Sequence, residues 1–280
     1  MSFSKSRYHL HFPSLIGFKK ATLDEMVIEI DSYHKEWTKI KEDKKTGLPK
    51  TYLDGTIKKR FLRPSFSKLK VLQSKIKKQF LEKIELPENL HGGIKKKSNI
   101  TNAKKHQGNK YLFVTDLQEF FPSIKTSMVS STFSDLGFNS EFVFYLTRFT
   151  TWKGEVSQGA STSTHIANIV FLKTDRILIE FCALHSITYT RFIDDLTFSS
   201  QKNFQSLIPK ILDIINDTGF KISRRKTSYE GKQMITGIIA YNNKIDLDTI
   251  KLEKVYAEKL LPPEIPRYLT QYRERILKTN

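Results

Sequence analysis

With 280 residues, 39% hydrophobic and 12% aromatic side chains, the chain can bury one large core or two smaller ones, and no apolar run reaches the ~18 residues of a membrane span. The formal net charge of +18 is uneven: residues 1–110 hold 26 Lys+Arg against 11 Asp+Glu, residues 111–280 hold 21 against 18, so a polyanion bound mainly by the front half is expected. A lone cysteine, Cys182 in the apolar run RILIEFCAL, excludes an internal disulfide and a cysteine-based zinc site, and the start MSFSKSRYHLHF lacks the features of a signal peptide, so a cytosolic protein is expected.

In chain order, TLDEMVIEIDSYHKEWTKIKEDK (22–44) has apolar residues at helical spacing behind Thr22 as N-cap. KTGLPKTYLDGTIKKRFLRPS (45–65) reads as a β-hairpin turning at Asp54-Gly55. A helix is predicted over 66–84, with Leu69, Leu72, Ile76, Phe80 and Leu81 on one face, and then a strand over 110–117 (KYLFVTDL). Helices are predicted over about 125–134, 139–150, 162–184 and 203–217, and strands over 187–193, 196–200 and 234–241. Two short helices close the chain, and the mixture is α+β.

Acids end these strands: Asp116 in the first, and the adjacent Asp194 and Asp195 at the tip of an apolar hairpin, YTRFIDDLTFSS (189–200). A carboxylate at one strand end and a pair at a neighbouring tip can converge on divalent metal for in-line phosphoryl transfer. Asp is common in turns, so the pair by itself reads more readily as ordinary turn chemistry.

The surroundings decide between these. VTDLQEFFPSI (114–124), SQGASTSTHIANI (157–169), YTRFIDDLTFSS, GFKISRRKT (219–227) and ITG (235–237) follow one another in the order of the palm motifs of reverse transcriptases, and the chain resembles that family. NAKKH (102–106) and ITG are similar to the NAxxH pattern and VTG triplet of its bacterial retron type; the resemblance covers roughly residues 50–240.

The resemblance implies a right-hand polymerase fold, α+β, with fingers, a palm bearing an antiparallel sheet and a short helical thumb. The expected segments are a basic fingers region over 1–110, a catalytic palm with part of the fingers over 111–240, and a thumb over 241–280. It implies two Mg²⁺ ions, with Mn²⁺ as a substitute, held by Asp116, Asp194 and Asp195. Lys226 matches the lysine that protonates departing pyrophosphate, with a merely solvated lysine as the competing reading. Lys59, Arg60 and Arg63 would grip the triphosphate, the register between the first two being open. Phe121 would stack under the incoming sugar and exclude a 2′-OH, against a role in core packing; Gln158 and Gly159 would lie under the nucleotide. Asn102 and His106, at a spacing of four, would contact RNA together with Lys95, Lys96 and Lys97, against a satisfied structural histidine and a solvated lysine surface. Lys68, Lys70, Lys75, Lys77 and Lys78 would track template backbone on the same terms.

The implied activity is RNA-directed DNA synthesis on a cognate structured non-coding RNA, primed by an RNA 2′-OH and serving antiphage defence with a separate effector protein. The partners would be that RNA, its DNA product and dNTPs, in a prokaryotic cytoplasm without membrane attachment and with oligomerisation open. Two other readings remain: a non-retron defence reverse transcriptase with protein or unusual priming, and an inactive RNA-binding scaffold. Departures from the family pattern are Phe192-Ile193 where YADD is common, SQGASTS for PQGAPTS, and only 43 residues after Gly237. The last predicts a minimal thumb, or a grip completed by another molecule, and weak processivity.

Overall fold

Alternating and near-continuous apolar runs build a four-stranded antiparallel sheet in the computed structural model, which describes residues 9–42, 47–51, 54–230, 234–262 and 264–280. Its strands are β1 (Tyr111–Asp116), β2 (Thr188–Phe192), β3 (Asp195–Ser200) and β4 (Ser228–Glu230), in the order β2-β3-β1-β4. Phe198 on β3 lies 4.8 Å from the Tyr189 ring and 5.6 Å from that of Phe113, so aromatic side chains from three adjacent strands pack across the sheet.

The chain divides into two units, Met1–Glu85 with Glu119–Val170, and Leu86–Gln118 with Phe171–Asn280. Both are discontinuous in sequence, where contiguous segments over 1–110, 111–240 and 241–280 were expected; the chain passes between units at 85/86, 118/119 and 170/171. The first unit is mainly helical. Phe12, Phe80, Phe133, Phe138, Phe142, Tyr145 and Phe149 are buried in it, from the helices Phe12–Ile16, Thr126–Asp135 and Ser140–Thr150 and the loops beside them.

The second unit holds the sheet, the helices Leu172–Leu184 and Ile208–Asp217, and a small separate core. That core joins Ile100, Ala103, Leu112, Ile235, Ile238, Ile245, Val255 and Ile276. The two closing helices, Thr249–Lys259 and Tyr268–Leu277, are both present and contribute Val255 and Ile276 to it. Asn99 donates to the Tyr272 hydroxyl at 2.5 Å and Arg273 pairs with Asp246 at 2.9 Å, fixing the last helix to this core.

Three expected elements differ. The helix predicted over 22–44 stops early: Lys20–Ile28 is helical, and at Ile30–Tyr33 the Ser32 hydroxyl donates to the Glu29 carbonyl at 2.7 Å, competing with helix propagation. Trp37–Ile40, aromatic and β-branched, then forms a strand paired antiparallel with Lys59–Leu62. The turn at Asp54-Gly55 is present, with Thr51 bridged to Ile57; residues 45, 46, 52 and 53 of that predicted hairpin lie outside the described residues. The strand predicted over 234–241 is itself a hairpin, Ile235 facing Ile238 across Thr236 and Gly237, both at positive φ (46° and 85°), as a type I′ turn requires. The helix predicted over 162–184 is two helices, Ser163–Val170 and Leu172–Leu184, parted at Phe171.

Candidate active site

The register of β1 and β3 sets Asp116 directly opposite Asp195, which puts both carboxylates on one face of the sheet. Hydrogen bonding continues one residue further, Leu117 N donating to the Asp194 carbonyl at 2.9 Å. Asp194 therefore stands at the same end of the sheet as Asp116, although 78 positions separate them. Between β2 and β3 only Ile193 and Asp194 lie outside the Phe192–Asp195 pair, a two-residue hairpin turn. Ile193 has φ 60°, and Asp194 is not among the positive-φ residues, the pattern of a type II′ turn, in which the first central position is normally glycine. A β-branched residue held there costs about 1–3 kcal/mol of backbone strain.

Asp116 is buried, and its Oδ2 accepts from Lys226 Nζ at 2.5 Å. Lys226 comes from the short 3₁₀ turn Arg224–Lys226, anchored because Ser223 N donates to the Asp116 carbonyl at 2.7 Å. Partial burial works against the Lys226 charge, but the Asp116 carboxylate outweighs it and, with Asp194 and Asp195, raises the amine above its ordinary value. Asp195 is pushed up to about 7, first by burial, then by the negative charges of Asp194 and Asp116, with Lys226 pulling the other way. As the side chains stand, no three acids among the described residues enclose one ion; the Asp116 carboxylate is turned to Lys226.

The donor set nonetheless suits a hard dication. Mg²⁺ takes one or two protein carboxylates and completes its octahedron with phosphates and water, which the cross-strand pair Asp116 and Asp195 allows. The raised Asp195 carboxyl marks negative charge that one lysine does not balance, and a dication would relieve it.

The predicted nucleotide residues all lie in the first unit. Lys39 pairs with Arg60 and Ile40 with Lys59, so Arg60 and Lys59 are exposed on opposite faces of the ribbon. Arg63 does not present a free guanidinium. Its Nε donates to Glu36 at 2.5 Å and its Nη1 to Glu155, so it fastens the ribbon base instead. The Gln158 carbonyl accepts from Arg63 N at 2.9 Å, and Gly159, exposed at φ 113°, lies beside Pro64. Phe121 is half-buried in the short helix Phe120–Ser123, its ring 5.8 Å from that of Phe120.

The expected RNA contacts of Asn102 and His106 are corrected by burial, since both are fully enclosed. His106 Nδ1 lies 2.6 Å from the Ser199 hydroxyl and Nε2 2.6 Å from that of Thr190, so the imidazole ties β2 and β3 to the loop after the Asn99–Lys104 helix. Burial lowers it to about 3, with His91 adding to the effect. Lys95 and Lys96 are exposed, whereas Lys97 donates to the Glu88 carbonyl at 2.5 Å.

Sequence reasoning missed a fully buried network behind the hairpin. Arg191 on β2 donates from Nε and Nη2 to the two oxygens of Asp175, at 3.0 and 2.7 Å, and Tyr189 OH donates to Asp175 at 2.7 Å. The available signal was an arginine in a strand predicted to be buried, a charge that needs a buried partner.

The profile of the reverse transcriptase (RNA-dependent DNA polymerase) family matches residues 44–238. The Retron Se72 reverse transcriptase of Salmonella heidelberg is 28% identical over 80% of this chain and 59% of its own length. The Retron Ec86 reverse transcriptase of Escherichia coli is 29% identical over 68% of this chain and 61% of its own. The match thus spans about three fifths of those two relatives. Among solved structures, telomerase from Candida albicans in complex with a fragment of telomeric RNA aligns over 50% of this chain and 30% of its own, at 12% identity and a TM-score of 0.42.

Proposed function

Because this chain belongs to the reverse transcriptase family and is of its retron type, we propose that it is an RNA-directed DNA polymerase that copies part of a dedicated structured non-coding RNA into DNA. The observation that carries the proposal is the cross-strand pair Asp116 and Asp195 with Asp194 at the adjoining turn, three acids from separate stretches of sequence gathered at one end of a sheet.

Asp116, Asp194 and Asp195 would hold Mg²⁺, or Mn²⁺ in its place. Two such ions stabilise the attacking and leaving oxygens of an in-line phosphoryl transfer. Lys226 Nζ lies 2.5 Å from Asp116, which supports reading it as the group that would follow the leaving group and give it a proton. Lys59 and Arg60 would meet the triphosphate, with Gln158 and Gly159 beneath the nucleotide and the Phe121 ring against its sugar. Lys95 and Lys96 would pair with RNA phosphates. In this reading residues 1–110 serve template and nucleotide, 111–240 chemistry together with part of the nucleotide contacts, and 241–280 thumb contacts.

A 2′-OH of the same RNA would prime synthesis, and a separate effector would turn the product to antiphage defence in the prokaryotic cytoplasm. No helix among the described residues is long and apolar enough to cross a membrane. The test is purification from the native host, nuclease treatment of the bound nucleic acid and sequencing of any DNA strand. A branched RNA–DNA product is expected. In the same preparation Asp194→Asn should abolish nucleotide incorporation and leave RNA affinity within about twofold, because it removes a metal ligand and not basic surface. RNA bound by the wild type without any incorporation would leave only a binding scaffold, and lost RNA affinity in the variant would make Asp194 structural.

A further inference from the structure

The Ile193-Asp194 turn carries one of the three acids and leads directly into a second, Asp195, yet its first residue holds a backbone conformation that isoleucine disfavours. Something must over-determine it, and two features of the surrounding structure do so.

The first is Arg191. Its side chain is wholly buried, with Cζ 4.8 Å from the Phe171 ring centroid. Nε and Nη2 are fixed on Asp175, from the helix Leu172–Leu184, and Asp175 is held in turn by the Tyr189 hydroxyl. The remaining nitrogen, Nη1, donates to the Ile193 carbonyl at 2.8 Å. One planar guanidinium therefore spans from a rigid helix to the peptide joining Ile193 to Asp194. The second is the segment 89–92, which runs along β2. Arg191 N donates to the Asn89 carbonyl at 2.9 Å, and His91 N to the Arg191 carbonyl at 2.8 Å. This lays Gly92 against the turn so closely that a Cβ there would sit 2.4 Å from the Ile193 backbone nitrogen.

We propose that Arg191, anchored by Asp175, is a positioning residue that holds the left-handed Ile193 turn and so sets Asp194 and Asp195 for metal. The inference rests on reading those two acids as metal ligands. A lysine could pair with Asp175 but has one nitrogen, and cannot serve the carboxylate and the Ile193 carbonyl in this forked geometry. Glycine at 193 takes the same conformation without steric cost, which should release the turn from its need for the guanidinium.

The test is Mn²⁺ binding by the full chain, measured by calorimetry or by loss of the free-ion EPR signal, with extension of a primed RNA as a second readout. Arg191→Lys, folded by circular dichroism, should bind Mn²⁺ about 10–100-fold more weakly, the usual cost of disturbing a residue that orients ligands. Its kcat should fall while the KM for dNTP stays unchanged. In an Ile193→Gly background the same substitution should cost less than about threefold, the coupling expected when one residue acts through another. If Arg191→Lys alone does not fold, the double variant decides: recovered folding and Mn²⁺ binding support the inference, while a double variant that is unfolded or folded without Mn²⁺ binding overturns it.

Wild-type Mn²⁺ affinity in folded Arg191→Lys, or an equal loss in both backgrounds, also overturns it and leaves the polymerase reading standing. Mn²⁺ binding with the expected coupling but no DNA synthesis by the wild type supports this inference and sinks the polymerase reading. A wild type that binds no Mn²⁺ sinks both.

Discussion

Replacing His106 by Gln separates an RNA contact from a structural imidazole. The ring is fully buried between the Ser199 and Thr190 hydroxyls, and burial lowers it from 6.5 to about 3. Above pH 6.5 the folded and unfolded chains both carry it neutral. As pH falls below 6.5 the unfolded chain takes up a proton that the folded chain refuses, so stability declines until the folded value is reached. The slope is about 1.4 kcal/mol per pH unit, which makes His106 worth about 2 kcal/mol between pH 7.5 and pH 5. His91, lowered to about 4 by burial with Lys97 and Lys105 adding, contributes a similar ~2 kcal/mol by the same arithmetic. Together they are a large share of the ~5–15 kcal/mol of a folded domain. Urea unfolding followed by far-UV circular dichroism at pH 7.5, 6 and 5 measures it. His106→Gln should reduce the acid-induced loss at pH 5 by about 2 kcal/mol, one proton fewer on unfolding, whatever it does to stability at pH 7.5. RNA affinity of the folded variant at pH 7.5 should match the wild type. An unchanged pH slope would refute the burial argument, and a selective loss of RNA affinity would reinstate the RNA contact.

Phe121→Ala should admit ribonucleotides, read as the ratio of rNTP to dNTP incorporation; unchanged sugar selectivity would return Phe121 to packing alone. Raising salt from about 50 to about 200 mM should weaken RNA binding by two or more orders of magnitude in a filter-binding assay if several phosphates are neutralised, and a flat response would refute an electrostatic interface. Gly92→Ala should lower Tm by several degrees, because the new methyl meets the Ile193 nitrogen and the Phe192 carbonyl carbon at 2.4 and 2.9 Å and backbone cannot yield cheaply. An unaltered Tm would mean that segment 89–92 does not pack on the turn.

The strands bearing the acids were legible because short apolar runs and motif order agree: the strand predicted over 110–117 is Tyr111–Asp116, and that over 196–200 is Asp195–Ser200. What was not legible depends on partners far away in the chain. Trp37–Ile40 looks helical when only its own spacing is read; its strand exists because Lys59–Leu62 supplies the other half of the ladder. Arg63 has the right charge for a triphosphate, but Glu36 and Glu155 lie 27 and 92 positions away and no local rule predicts that they capture it. Asn102 and His106 share a spacing that suggests one helical side, yet the helix ends at Lys104, and the spacing says nothing about whether that side faces solvent or the sheet. The hairpin shows the limit most sharply. Phe-Ile-Asp-Asp gives no sign of a left-handed residue, since its first turn position lacks the expected glycine. A lone arginine in the strand before it was the available clue. Such a charge, inside a segment otherwise fit for burial, asks for a buried acid elsewhere, and Asp175 in the helix RILIEFCAL belongs to is the one acid fully enclosed among the described residues. Read that way, an anomaly of the apolar pattern points to what holds the catalytic turn, as the motif points to the turn itself.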